Sequence, residues 1–262
     1  MRYITHAVRM NLHRAMQYRA SFLMQTFAQF VMTAGDLMAV LILMGRFGHA
    51  GHWSPSEILF FFGAMQITFS VTETINRGLA HFSAMIQSGS FDTVLLRPRS
   101  SLLQVTLNEL DPRRFGSIAV GVAALALSSS KLSVSWTPAS VLLLLWAMLG
   151  TVALLMGLFL IEAIVCFFSV QSIEIVNILT YGGRAACEYP VDVFPSPVRL
   201  LFTYVAPIAL CLHEPISFIL GRPVLALPAA AVWVCPVAGF LFFFLMILLW
   251  CVGVRHYRST GS

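Results

Sequence analysis

The stretch VLLLLWAMLGTVALLMGLFLIEAIVCFF, residues 141–168, carries one charged side chain, Glu162. A helix needs about 20 mostly apolar residues to cross a bilayer. This run exceeds that length, and it is not alone. Further apolar runs extend from Ser21 to about Gly45, from about Ile58 to Ile75, from Ile118 to the Ser128-Ser129-Ser130-Lys131 cluster, and from about Ala229 to Val254. Hydrophobic residues fill 58% of the 262 positions and charged residues only 10%, whereas a soluble domain is roughly a quarter charged. The sequence predicts an all-α membrane protein, one transmembrane domain over residues 1–262, with no room for a sizeable soluble domain.

Run 141–168 is too long for one untilted crossing. Ser169 to Ser172 offers a polar turn, so the pattern is divided there, with a fifth span closing near Gly182 and Gly183. Residues 184–225 then hold Pro190, Pro195, Pro197, Pro207, Pro215 and Pro223, a density that no straight helix tolerates. The segment is nonetheless largely apolar. Broken backbone at membrane depth survives only when buried in protein or lining a cavity, so a re-entrant or interfacial segment is expected. At the other end, residues 1–20 place Arg2, His6, Arg9 and His13 at helical spacing, with Ile4, Val8, Leu12 and Ala15 on another face. That pattern fits a helix lying in the membrane interface. A signal peptide fits less well, because the basic region is long and no small-residue cleavage site stands out.

Basic residues near span ends set orientation. Eleven arginines fall on one side: Arg2, Arg9, Arg14, Arg19, Arg77, Arg97, Arg99, Arg113, Arg114, Arg255 and Arg258. Five basic residues fall on the other: Arg46, Lys131, Arg184, Arg199 and Arg222. Six spans with both termini and the 78–114 loop in the cytoplasm satisfy this bias, and the Pro-rich segment then faces outward. Trp53 is expected at an interface.

Candidate chemistry is sparse. Cys166, Cys187, Cys211, Cys235 and Cys251 are scattered, with no metal-like spacing. His213-Glu214 runs into Pro215 and lacks the second histidine of a helical zinc motif. No catalytic or metal site is expected. The net charge of +5 is accounted for by membrane orientation rather than by a nucleic-acid partner.

One charged, amphipathic segment interrupts this pattern: GSFDTVLLRPRSSLLQ, residues 89–104. A Ser90 cap and an early Asp92 oppose a late Arg97 and a terminating Pro98, which predicts a short self-contained helix. Phe91, Val94 and Leu95 fall at i, i+3 and i+4 on one face. Such a face suits the groove of another protein. It equally suits a surface helix with Arg97 and Arg99 on lipid phosphates.

Three strings, SGSFDTVLLRPRSSLLQ, YGGRAACEYPVDVFPSPVRLLFTYVAPIAL with its PISFILGR continuation, and VRHYRSTGS, together resemble the permease subunits of ABC-2-type transporters. The similarity is closest to a bacterial branch with a G-x-x-D-x-x-L-x-R-P loop, a Y-P-x-x-x-F-P segment and a Y-x-S-T-G-S tail, and it covers essentially the whole chain. The resemblance implies that the loop between spans two and three holds a coupling helix pressed against an ATPase subunit. Phe91, Asp92, Val94, Leu95, Leu96, Arg97 and Pro98 would make that contact. It further implies a second permease, identical or related, and ATP with Mg on the partner ATPase rather than on this chain. Consistent with that division, there is no G-x-x-x-x-G-K-[ST], and the single lysine, Lys131, follows a serine run.

Ionisable groups within spans are costly, and so are candidates for function. Asp36, Glu73, Glu174 and Arg184 are the candidate transport-path residues, with Glu162 also in a span. Ion pairing within the protein is the competing role for each. The expected function is a membrane subunit of an ATP-driven transporter, an exporter in a bacterial inner membrane. An uptake component remains open. An intramembrane enzyme would need a polar cluster that the sequence does not offer.

Overall fold

The computed structural model describes residues 2–47, 52–132, 134, 136–168, 178–222, 225 and 227–257. Glu174, most of the fifth apolar run and the 258–262 tail lie outside the described residues. Every regular element among the described residues is a helix. In chain order these are α1 (Arg2–Gln17), α2 (Arg19–Phe47), α3 (Pro55–Ala80), α4 (Phe82–Gln87), α5 (Phe91–Leu95), α6 (Ser101–Asn108), α7 (Phe115–Lys131) and α8 (Pro138–Cys166). They continue with α9 (Gly183–Cys187), α10 (Ser196–Leu200), α11 (Glu214–Ile219), α12 (Ala229–Val234) and α13 (Val237–His256), with π-helical turns at Ile178–Gly182, Leu201–Val205 and Ala209–His213.

Four helical stretches are long and apolar enough to cross a membrane: Arg19–Arg46, Pro55–Gln87, Pro138–Val165 and Ala229–His256. A fifth is reached if the bent pair Ser196–Val205 and Ala209–Ile219 counts as one. The third apolar run forms α7, 17 residues long, or roughly 25 Å at 1.5 Å per residue. The protein is therefore a multi-pass helical membrane protein.

Local sequence explains where the long helices begin. Pro55 occupies the first turn of α3, while Ser54 and Glu57 cap each other's backbone N–H groups. Pro138 opens α8 in the same way, with Thr137 and Ser140 as the reciprocal pair. α3 does not stop at Ile75 as the apolar pattern predicts. It bends at Asn76 (φ −97°, ψ 15°) and continues, because Leu79, Phe82 and Ile86 beyond the bend still bury apolar surface.

α3 is the central helix, packed between α7 and α8. Its core contribution is the aromatic run Phe60, Phe61, Phe62 and Phe69, each without exposed surface. Backbones approach closely where glycines meet: a Cβ on Gly63 would stand 2.7 Å from the Leu125 nitrogen, and one on Gly121 2.9 Å from Ile67 Cγ1. α8 and the last span meet likewise at Gly150 and Gly239. Small residues permit this because dispersion, rather than hydrophobic exclusion, holds helices together in lipid. The first span is more loosely held. α2 docks on α7 through Thr33 and Ser117, whose hydroxyls are 2.8 Å apart, and leaves Leu23, Met24, Phe27, Met32 and Ile42 exposed.

Trp53 is buried within the protein: its indole N–H donates to both Asp192 carboxylate oxygens at 2.9 and 3.0 Å, and its ring meets Phe61 edge-on. One sequence expectation is corrected. Arg184 does not sit at the outer rim. It lies beside Gln66, midway along α3, because the Gln66 amide and the Glu188 and Asp36 carboxylates hold it there.

Candidate functional site

The segment between α4 and α6 is built as a plug. Gly89 adopts φ 67°, a left-handed turn that glycine enters without strain, and reverses the chain into α5. Phe91 then points inward with no exposed surface. Its ring lies 5.0 Å from Phe82, 5.7 Å from Phe167, 6.3 Å from Trp250 and 5.1 Å from Tyr257, mostly edge-to-face. These rings come from α4, from just beyond α8, and from the end of α13. Trp250 also donates its indole N–H to the Ser101 hydroxyl at 3.2 Å. Burial pushes the Tyr257 phenol up, and the Asp92 carboxylate beside it adds to that shift. The segment is thereby tied to the ends of two long apolar helices.

The face expected to meet a partner is split. Phe91 and Val94 are buried within the chain. Leu95 is 40% and Leu96 84% exposed, and Arg97 and Pro98 are exposed with them. The i, i+3, i+4 pattern identified an apolar face but not what covers it; the chain's own aromatic rings do. The expected Ser90 cap is also absent. Ser90 has helical backbone angles, and its hydroxyl turns back to the Met85 carbonyl at 3.3 Å. At the opposite end of the helix, Gln104 donates to the Val94 and Arg99 carbonyls at 3.3 and 3.2 Å.

Next to this plug lies a charge cluster. Arg113 donates to both Asp111 oxygens, at 2.6 Å through Nε and 2.8 Å through Nη2. Arg114 Nε and Arg77 Nε stand 3.9 and 4.0 Å from Asp111 Oδ2. Arg114 also donates to Glu73 at 2.8 Å. Burial alone would raise the Asp111 carboxyl, but the Arg113 hydrogen bonds and the charges of Arg113, Arg114 and Arg77 hold it below the usual range. The same contacts raise Arg113. Glu73 thus serves an internal pair, and Asp111 is a hub that the sequence did not single out.

The remaining charges at mid-helix depth also converge. Asp36 of α2 is 3.5 Å from Arg184, which donates to Glu188 at 3.2 Å and to Gln66 at 2.9 Å. The guanidinium lies over the Phe69 ring, 4.9 Å from its centre. Asp36, Tyr181, Arg184, Glu188 and Tyr189 line an open groove of about 340 Å³. Asp36 itself is 58% exposed. The structure therefore joins Asp36 with Arg184, places Glu73 in the separate Asp111 cluster, and leaves Glu162 buried on α8.

At the far end the Pro-rich segment folds into short helices, the pair Ser196–Val205 and Ala209–Ile219 meeting at 83°. It encloses a second cavity of about 340 Å³ lined by residues including Pro190, Leu200, Tyr204, His213 and Ser217. His213 Nδ1 accepts the Val191 N–H at 3.1 Å, and Glu214 accepts the Leu225 N–H. Among the described residues no group of three or more His, Cys, Asp or Glu side chains could hold a metal ion.

These features define a multi-pass helical membrane protein with a structured plug at one end of its bundle and a broken, Pro-rich cap at the other. The description "ABC-2 family transporter protein" matches residues 30–261, so the chain belongs to that family. It is accordingly an ABC-2-type permease component, and the family points to a transport subunit rather than a catalytic one. No curated protein and no solved structure matches the chain at a significant level.

Proposed function

We propose that this chain is the membrane half of an ATP-driven exporter in a bacterial inner membrane. It crosses six times and keeps both termini and residues 78–114 in the cytoplasm. A separate ATPase subunit binds ATP and Mg. Its closure pushes on the α5 segment, and the bundle switches from inward to outward access. Packed interfaces have discrete arrangements, so a small push becomes a large one. A second permease, identical or related, covers the exposed face of α2 and faces the groove around Asp36 and Arg184. The Pro-rich segment dips into the outer leaflet as the outward gate.

One observation carries this reading: a short helix framed by Gly89 and Pro98, its inner side wedged among Phe82, Phe167, Trp250 and Tyr257, its outer side bare. A force applied outside would be delivered to the ends of α8 and α13. The contact residues are then Asp92, Leu95, Leu96, Arg97 and Pro98, while Phe91 and Val94 anchor them. To test it, the intact protein is purified gently from its native membrane as wild type, Leu95→Asp and Leu96→Asp, and its companions are identified by mass spectrometry. The expected result is an ATPase that accompanies the wild type and is depleted from both variants at unchanged permease yield. Undiminished ATPase in both variants would remove the contact assignment.

A further inference from the structure

α1 runs into α2 with only Tyr18 between them, so it lies where a membrane-crossing helix emerges from the bilayer. It also rests on the plug: Asn11 donates to the Leu107 carbonyl of α6 at 3.1 Å. Between α1 and the plug is a cleft of about 170 Å³. Arg14 and His6 of α1 line one wall, and Arg97, Gln104 and Asn108 line the other. No carboxylate lines it, and neither arginine has an ion-pair partner among the described residues. Two unpaired guanidinium groups across one cleft repel each other unless an anion lies between them. The neighbouring cleft, which Arg14 also borders, is lined by Glu109 and Asp111. It therefore lacks this excess of positive charge.

Gln104 adds no charge to the second wall: its Nε2 donates to the Val94 and Arg99 carbonyls and its Oε1 is buried, so the two arginines set the character of the cleft.

We infer that this cleft binds the phosphodiester headgroup of an anionic phospholipid such as phosphatidylglycerol. The phosphate lies between the guanidinium groups of Arg14 and Arg97. The lipid clamps α1 onto the segment that bears the exposed Leu95 and Leu96. Binding itself is independent of the ATPase; only the consequence for transport, that anionic lipid stiffens the coupling segment, rests on the reading above.

The test uses the full chain in detergent, delipidated and then offered phosphatidylglycerol, phosphatidylcholine of the same acyl chains, or inorganic phosphate, with bound lipid read by native mass spectrometry. A basic side chain near an anionic surface contributes about 1 kcal/mol, so each of Arg14→Gln and Arg97→Gln should reduce phosphatidylglycerol retention roughly fivefold. Arg9→Gln, on α1 but outside the cleft, should not. Inorganic phosphate that protects against heat as well as phosphatidylglycerol, and displaces it, would assign the site to a soluble phosphate and overturn the lipid. Equal retention of the two lipids, or equal losses from Arg9→Gln and the cleft variants, would reduce the effect to nonspecific surface attraction and overturn the site. Because ATPase co-purification plays no part in the readout, failure here and failure of the transporter reading are separable.

Discussion

The two ends of the bundle are held by different physics. At the Phe91 end, five aromatic rings and an Asp111 hub with three arginines fix short, ordinary helices against the ends of α8 and α13. At the Pro-rich end, π-helical turns and a bend of 83° surround a cavity, and the pieces are tied by hydrogen bonds such as Trp53 to Asp192 and Val191 to His213 and by the Arg222–Glu57 ion pair. Dense aromatic packing transmits displacement with little compliance. Helices broken by bends and π-turns offer joints about which short pieces can move. A bundle that is stiff at one end and jointed at the other suits a machine pushed from the stiff end.

The largest expected effect falls on that stiff end. Phe91→Ala removes a fully buried ring, which typically costs about 3–5 kcal/mol, and should lower the thermal midpoint in nanodiscs more than any single change in the Pro-rich segment. A midpoint close to wild type would mean that the ring cluster does not fasten the plug. Next is Asp111→Ala. Breaking a fully buried pair costs about 3–5 kcal/mol, but Arg113 is 38% exposed, so a loss of about 2 kcal/mol is expected by the same thermal assay.

The Asp111 contribution also has a defined pH signature. Because its carboxyl is held below the usual range when folded, its stabilisation is fully present above the ordinary aspartate value of about 3.9 and is lost as pH falls through the lower, folded one. The stability difference between wild type and Asp111→Asn should stay flat from neutral pH down to that region and then shrink. A difference that already shrinks between pH 7 and pH 5 would contradict the hub.

Smaller still is Trp53→Phe at the jointed end. It keeps the ring against Phe61 but removes hydrogen bonds to a carboxylate, for which about 1–2 kcal/mol is expected. Hydrogen exchange should rise around Asp192 and leave α5 unaffected. Exchange that rises equally at both ends would show the bundle to be one cooperative unit and dissolve the comparison.

Much of the architecture was legible in the sequence, for reasons that differ by element. The apolar runs that became α2, α3, α8 and the last span were plain, because a bilayer demands length and low charge. The α5 helix was legible from the early Asp92, the late Arg97 and the terminating Pro98, which act through local charge and backbone geometry. What covered its apolar face was not, because Phe167 and Trp250 come from far along the chain and no local spacing encodes them. The same holds for Asp36 with Arg184, and for Trp53 with Asp192. Ser90 failed as a cap for a local reason: its backbone had already entered the helical region, so its hydroxyl reached backward. The continuation of α3 past Asn76 was hidden by polar residues that the charge cluster absorbs.

The most direct test of the account places a photoreactive residue at Leu96 and, separately, at Tyr204 of the Pro-rich segment, in the intact protein in its native membrane. Illumination at position 96 should yield a crosslink to an ATPase, altered in yield by ATP, and illumination at position 204 should yield none. A crosslink to the same ATPase from position 204, or none from position 96 while the ATPase still co-purifies, would contradict the claim that α5 is where the driving force enters.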